Sequence, residues 1–173
     1  MWLLFKVPLP PEKALTRSVL EVQDARRQIA INLPIIDVCN TDYSHILHYG
    51  VIVSQSTKAF GNPYRGNSEC YQNTIIKNYK SWRDVHDDDE VPPYRATFDD
   101  WKQMTDCNTT NSTRSQDIPE YISFIVGQDG YCEDNHPIYC NGYLKPNTEY
   151  RVKTFVCASG GCAESMWSQP MKT

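Results

Sequence analysis

In Asn141–Val156, NGYLKPNTEYRVKTFV, residues Leu144, Pro146, Thr148, Tyr150 and Val152 fall on every second position directly after an Asn-Gly pair. Successive side chains of a strand point to opposite faces of its sheet, so this alternation predicts a half-buried strand. Asn141-Gly142 is turn chemistry, because both residues tolerate positive φ. The stretch therefore reads as a turn, a loop held by Pro146, and a strand from about Glu149 to Cys157.

Partners for that strand are legible elsewhere. Ser18–Val22 reads S-V-L-E-V, and Gln28–Leu33 puts Ile29, Ile31 and Leu33 on one face before Pro34 ends it. His45–Ser54 places Ile46, Tyr49, Val51 and Val53 in a third strand, with a bulge expected near Gly50. Tyr121–Gly127 and Ser165–Met171 supply two more. Pro8, Pro10 and Pro11 make residues 1–13 an extended lead-in, or residues added ahead of the domain, that cannot be a central strand. Short strands, frequent turns and no amphipathic helical period predict an all-β sandwich over 14–173.

Between Gln55 and Glu120 lie about 65 residues that fit no simple meander, too many for a structureless loop. Tyr71–Val85 is expected to give an edge strand and a short helix. Val91-Pro-Pro-Tyr94 is expected to be stiff and extended, and Phe98–Met104 to form a helical turn. The segment of about 56–120 reads as an ordered insertion packed on the sandwich, with a polar tip near Asn108–Ser115.

Seven cysteines bear on the compartment: Cys39, Cys70, Cys107, Cys132, Cys140, Cys157 and Cys162. None shows the paired C-x-x-C spacing of a zinc site. Two tandem glycosylation sequons, at Asn108 and Asn111, sit in a Ser/Thr/Asn-rich stretch beside Cys107. Together they favour a secreted or extracellular chain. Pairing Cys132 with Cys140 would close a small ring, stabilising by roughly 2–3 kcal/mol in the chain-entropy view. Cys157 and Cys162 flank a turn and could staple a hairpin, and Cys70 and Cys107 could tie the insertion together. Cys39 is then the unpaired candidate, although pairing of Cys39 with Cys157 or Cys162 stays open.

The order Leu144-x-Pro146-x-Thr148-x-Tyr150-x-Val152, with Trp167-Ser168-Gln169-Pro170 behind it, resembles the later strands of a fibronectin type III domain. The resemblance implies that the Tyr150 hydroxyl bonds back to upstream backbone, a tyrosine corner involving Leu144, Pro146 and Tyr150. The Trp usual on the family's second strand is absent, and Ile31 or Leu33 is expected to fill its volume. Across 71–173, the series Ser81-Trp82-Arg83-Asp84-Val85, Pro92-Pro93-Tyr94-Arg95-Ala96, Phe124-Ile125-Val126-Gly127 and Tyr139-Cys140-Asn141-Gly142 is similar to a particular ectodomain region. That region is the membrane-proximal part of receptor-type tyrosine phosphatases rich in fibronectin repeats, including insect neuronal ones. The resemblance implies an ectodomain module on the extracellular face of the plasma membrane. It would recognise a protein ligand or a homophilic partner and pass its association state to a cytoplasmic phosphatase. Its membrane link would run only through a transmembrane segment outside this chain.

The chain lacks the H-C-x-x-G-x-x-R run that phosphatase chemistry needs, so no catalytic residue is assigned. No metal or other cofactor is expected. Asp87-Asp88-Asp89-Glu90 lacks the interleaved spacing and Gly of a calcium loop and reads as a solvated acidic loop. The net charge of −4 argues against nucleic acid as partner. Lys77, Lys80 and Arg83 form a candidate binding patch, with sulfated glycans as a lesser ligand class. The stems of these side chains would otherwise lie over Tyr79 and Trp82. Arg26-Arg27 reads as a hairpin turn. Two other readings stay open: an adhesion module, or a cytokine-receptor-like module suggested by Trp167-Ser168, each with no enzyme attached.

Overall fold

The computed structural model describes residues 16–17, 24–34, 46–59, 61, 65–66, 79–98, 101, 121–132, 139–158 and 161–173. Within them the chain is all-β apart from two short helical turns. In order come β1 (Thr16–Arg17), β2 (Ile29–Pro34), β3 (Ile46–Gln55), β4 (Arg65–Gly66), β5 (Lys80–Ser81), α1 (Trp82–Val85), β6 (Tyr94–Arg95), β7 (Tyr121–Val126), β8 (Glu149–Ala158), β9 (Gly161–Glu164) and β10 (Met171–Lys172). A 3-stranded sheet has the order β1-β2-β7, and a 7-stranded sheet the order β4-β9-β8-β3-β6-β5 with β10 also on β8. One apolar cluster takes Ile29, Ile31, Leu33 and Val126 from the first sheet and Val51, Val53, Tyr94, Tyr150 and Val152 from the second.

The long strands follow the alternation. β8 pairs antiparallel with β3 from Ile46↔Ala158 to Gln55↔Tyr150. The insertion supplies β5, α1 and β6, with β5 and β6 parallel, and so extends the larger sheet past β3. The strand expected at Ser18–Val22 lies outside the described residues, and pairing is seen at Thr16–Arg17 instead. Most of Phe98–Met104 also lies outside, although Trp101 N–H donates to Phe98 O at 3.2 Å.

Three expectations need correction. β8 is not half-buried: Val152 to Cys157 are buried in succession, so both faces of the strand are covered. Lys153 goes in because the larger sheet carries a second apolar cluster on its other face, holding Ile52, Phe155, Cys157 and Cys162 with Tyr79 and Trp167 against them, while Thr154 shares the inner face with Val152. The bulge lies between Ile46 and His48, whereas Gly50 pairs in register with Phe155. Gly50 is a glycine for want of space: a Cβ there would overlap the Phe155 ring and Thr97 Oγ1.

Ser165–Met171 is not a continuous strand. Regular pairing stops at Glu164 and resumes at Met171. Between them Ser165 and Ser168 each donate a backbone N–H to β8, to Thr154 O at 2.9 Å and Val152 O at 2.8 Å. Their hydroxyls accept the N–H of the same two residues, at 2.9 and 3.0 Å. Hydroxyls thus replace carbonyls, and β8 keeps its bonds where the following chain is irregular. Trp82 of α1 lies in the central cluster that also holds Ile31 and Leu33.

At the start of β8 the Tyr150 hydroxyl accepts the Lys145 N–H at 3.0 Å, with Leu144 buried beside it and Asn147 in the left-handed region at φ 54°. Thr148 Oγ1 donates to Pro146 O at 3.0 Å, which tightens the same turn. Tyr150→Phe should cost about 1–3 kcal/mol, the expense of stranding a partly buried N–H. Urea unfolding checks this, and an unchanged midpoint would mean that water replaces the hydroxyl.

Burial raises the pKa of Tyr49, Tyr79, Tyr94 and Tyr150 above the ordinary phenol range; the Glu164 carboxylate adds to this at Tyr79, and the Lys145 N–H opposes it at Tyr150. A raised folded pKa gives stability that is complete below the unfolded value and lost as pH climbs past it. Above about pH 10 each such phenol can remove up to ~1.4 kcal/mol per pH unit. Lys153 runs the other way, since burial lowers its pKa, but its gain is complete once the pH passes the unfolded lysine value of about 10.5, so it does not oppose the phenols above that. A cooperative alkaline unfolding between about pH 10 and 12 is therefore expected in a fluorescence titration. Gradual phenolate absorbance with the fold intact would refute it.

Candidate interaction surface

The surface is built on the docking of α1 against Cys132, Gly142 and Tyr143. Ser81 starts α1 by donating both its N–H (3.0 Å) and its hydroxyl (2.7 Å) to Asp84 Oδ2. Those two bonds, the hydroxyl's first, hold the Asp84 carboxyl below its ordinary pKa. Trp82 donates Nε1–H to Tyr143 O at 2.9 Å and stacks on His86 at 4.1 Å between ring centres. The Trp82 ring lies on Gly142, where any Cβ would overlap it. Arg83 Nη2 donates to Cys132 O at 2.9 Å.

Cys132, Cys140 and Asn141 are fixed from the other side as well. Cys132 is bonded to Cys140, and Cys157 to Cys162 across the β8–β9 hairpin. Asn141 is buried; its Oδ1 accepts Gly127 N–H at 2.7 Å and its Nδ2 donates to Ile125 O at 2.6 Å, closing the end of β7. Asp129 and Asn141 exchange two further bonds, each 2.9 Å. Leu144 N–H donates to Arg27 O at 3.0 Å, which brings the 24–27 turn alongside.

That last bond sets out an exposed group. The Arg27 guanidinium carbon lies 5.7 and 5.6 Å from the ring centres of Tyr131 and Tyr143. The two rings meet edge to face at 5.1 Å, and Arg27 Nη1 donates to the Tyr131 hydroxyl at 3.0 Å. Tyr131 is 69% exposed, more than any other large apolar side chain described. Arg26 is exposed beside it. Two residues past Tyr143, Lys145 Nζ donates to the backbone carbonyls of Asp88 and Asp89. The 143–145 segment therefore links the cationic–aromatic group at Arg27 to the acidic run at 87–90. Rigid Tyr rings and Arg are the side chains over-represented where protein partners bind tightly.

Of the candidate patch of Lys77, Lys80 and Arg83, the last two lie within the described residues. Lys80 is exposed on β5, Arg83 is turned onto the Cys132 carbonyl, and Lys77 lies outside the described residues. Cys39, Cys70, Cys107, Asn108 and Asn111 lie outside them too. The residues that do assemble, Arg27, Tyr131 and Tyr143, had no linear signal beyond the Arg26-Arg27 pair. The 87–90 run is exposed, and Glu90 pairs with Lys58 at 2.5 Å. Among the described residues no three His, Cys, Asp or Glu side chains are gathered to hold a metal ion, and no helix is long and apolar enough to cross a membrane.

On the far face of the larger sheet, Lys153 Nζ sits 2.6 Å from Glu164 Oε2 with both side chains buried. The ammonium also lies 4.7 Å from the Trp167 ring centre and 5.6 Å from that of Tyr79, whose hydroxyl donates to Glu164 Oε1 at 2.9 Å. Burial lowers the Lys153 pKa, and the Glu164 carboxylate pulls it back. Arg95 is likewise buried, with Tyr139 and Phe155 rings at 4.8 and 5.1 Å and Phe98 O accepting from Nη2 at 3.0 Å. These groups brace the sheet. No family model and no curated protein matches this chain, so what it does is argued from the exposed face and from the fold that carries it.

Proposed function

We propose that the chain is an extracellular recognition module on a fibronectin type III-like sandwich, from the membrane-proximal ectodomain of a receptor-type tyrosine phosphatase. The observation that carries this is the bond from the Lys145 N–H to the Tyr150 hydroxyl, the corner that the resemblance implies at that position. Two disulfides are compatible with an oxidising compartment. The face holding Arg27, Tyr131, Tyr143 and Lys145 would meet a protein ligand or a second copy, because loops on a rigid scaffold carry recognition. The module itself would do no chemistry.

The coding sequence downstream of Thr173 tests the assignment. An apolar run of ~20 residues and then a domain with H-C-x-x-G-x-x-R is expected. A stop codon, or only further adhesion repeats, would transfer the function to the second reading, a binding module with no enzyme attached. That reading draws on Trp167 lying over Lys153 and on the Ser168 bonds to β8.

A further inference from the structure

We infer that Tyr131 is a tyrosine O-sulfation site, and that Arg27 receives the sulfate. The inference rests on the extracellular reading above, because sulfation of protein tyrosines takes place in the secretory route.

Three independent features converge on this phenol. The first is access: a modification made after folding needs an exposed hydroxyl, and Tyr131 is 69% exposed, whereas Tyr49, Tyr94 and Tyr150 are at most 3% exposed. Gly130, at φ +70° just before it, has the Tyr143 ring 3.8 Å from where a Cβ would stand. The second is the local sequence, Gln128-Asp129-Gly130-Tyr131-Cys132-Glu133-Asp134. Carboxylates stand at two positions before the tyrosine and at two and three after it. A transferase that binds an anionic sulfate donor has a basic cleft, and acidic flanks are what such a cleft selects.

The third is a receptor for the product. Arg27 already donates Nη1–H to the Tyr131 hydroxyl at 3.0 Å, and Arg26 is exposed one residue earlier. A phenol oxygen offers this guanidinium one weak acceptor. A sulfate ester offers three terminal oxygens, which suit the planar two-pronged donor of Arg. The neighbouring Tyr143 ring, also against Arg27, keeps the guanidinium in place. The same anion would alter the recognition face, turning its cationic half neutral or negative.

The transfer balances simply. The phenolic oxygen attacks the sulfur of a nucleotide phosphosulfate, an O–S bond forms, and the bond from sulfur to the phosphate oxygen breaks. The nucleotide leaves as its phosphate, and the phenolic proton passes to a base of the transferase. Nothing is oxidised or reduced.

The test uses the chain secreted from insect or mammalian cells, with and without chlorate, which blocks synthesis of the sulfate donor. Mass spectrometry of the peptide spanning Tyr131 should show one added sulfo group. The group should resist alkaline phosphatase, vanish with chlorate and be absent from Tyr131→Phe. The untreated protein should also melt at a higher temperature than the chlorate-treated one, a difference that Arg27→Ala should abolish. A glycosylated chain, shown by a mass shift with peptide N-glycosidase at Asn108 or Asn111, that carries no sulfo group would overturn the inference and leave the extracellular reading standing. A chain that is neither secreted nor glycosylated would overturn that reading instead. A phosphatase-labile group, or one that persists in Tyr131→Phe, would also refute the assignment.

Discussion

Trp82→Ala should destabilise the chain by about 3–5 kcal/mol, the usual cost of deleting a buried large aromatic, and lower the melting temperature by roughly 6–20 °C. The indole is 5% exposed within the central cluster, although it comes from the insertion and not from either long strand pair. Its removal uncovers Gly142, frees Tyr143 O and takes the stacking partner from His86. Trp82→Phe keeps a ring but loses the N–H, so about 1–3 kcal/mol is expected from the stranded carbonyl. Guanidinium unfolding with the disulfides intact measures both. If the alanine variant lost less than about 1 kcal/mol, the Trp82 ring would be an appendage and not part of the core.

Glu164→Gln should be nearly as damaging, at about 3–5 kcal/mol, because it leaves a buried ammonium without its counter-charge. Lys153 and Glu164 are 7% and 3% exposed at their side chains, so water cannot substitute. The informative variant is the double one. Lys153→Met with Glu164→Leu removes both charges and should recover most of the loss, since apolar replacement of a whole buried pair is often close to neutral. The glutamine variant carries its own pH signature. Without the carboxylate, burial alone acts on Lys153 and drives its folded pKa further down. The unfolded chain then binds the extra proton, so the variant gains stability as pH rises between the two values. Flat pH dependence across that window, together with a small loss at neutral pH, would mean that the ion pair is solvated.

These two sites also mark where the sequence is legible and where it is silent. β2, β3, β7 and β8 can be read from alternation because each runs six residues or more. β5, β6 and β10 have two residues each, too few to show a period. Alternation assigned Lys153 to solvent. Its partner Glu164 follows 11 residues later, beyond a hairpin, and no local pattern announces a buried pair. Trp82 stood in a segment read as an ordered insertion packed on the sandwich, and the docking of α1 on Gly142 takes it into the core. The Cys132–Cys140 and Cys157–Cys162 bonds close short rings, so proximity in sequence suggested them. Arg27 and Tyr131 are 104 residues apart, and their meeting depends on the bond from Leu144 N–H to Arg27 O.

The serine hydroxyls that take the place of carbonyls along β8 bear on colloidal behaviour. A sheet margin with a regular row of free N–H and C=O groups is a template on which another chain can add a strand. Here the chain bordering β8 pairs regularly only at Gly161–Glu164 and Met171–Lys172. Between those pieces its backbone touches β8 at two points and carries Pro170, which has no N–H to offer. Its outward groups are out of step with any incoming strand. This margin should therefore discourage fibril growth at high local concentrations, and the two serines hold it in that irregular path without leaving the Val152 and Thr154 amides unsatisfied.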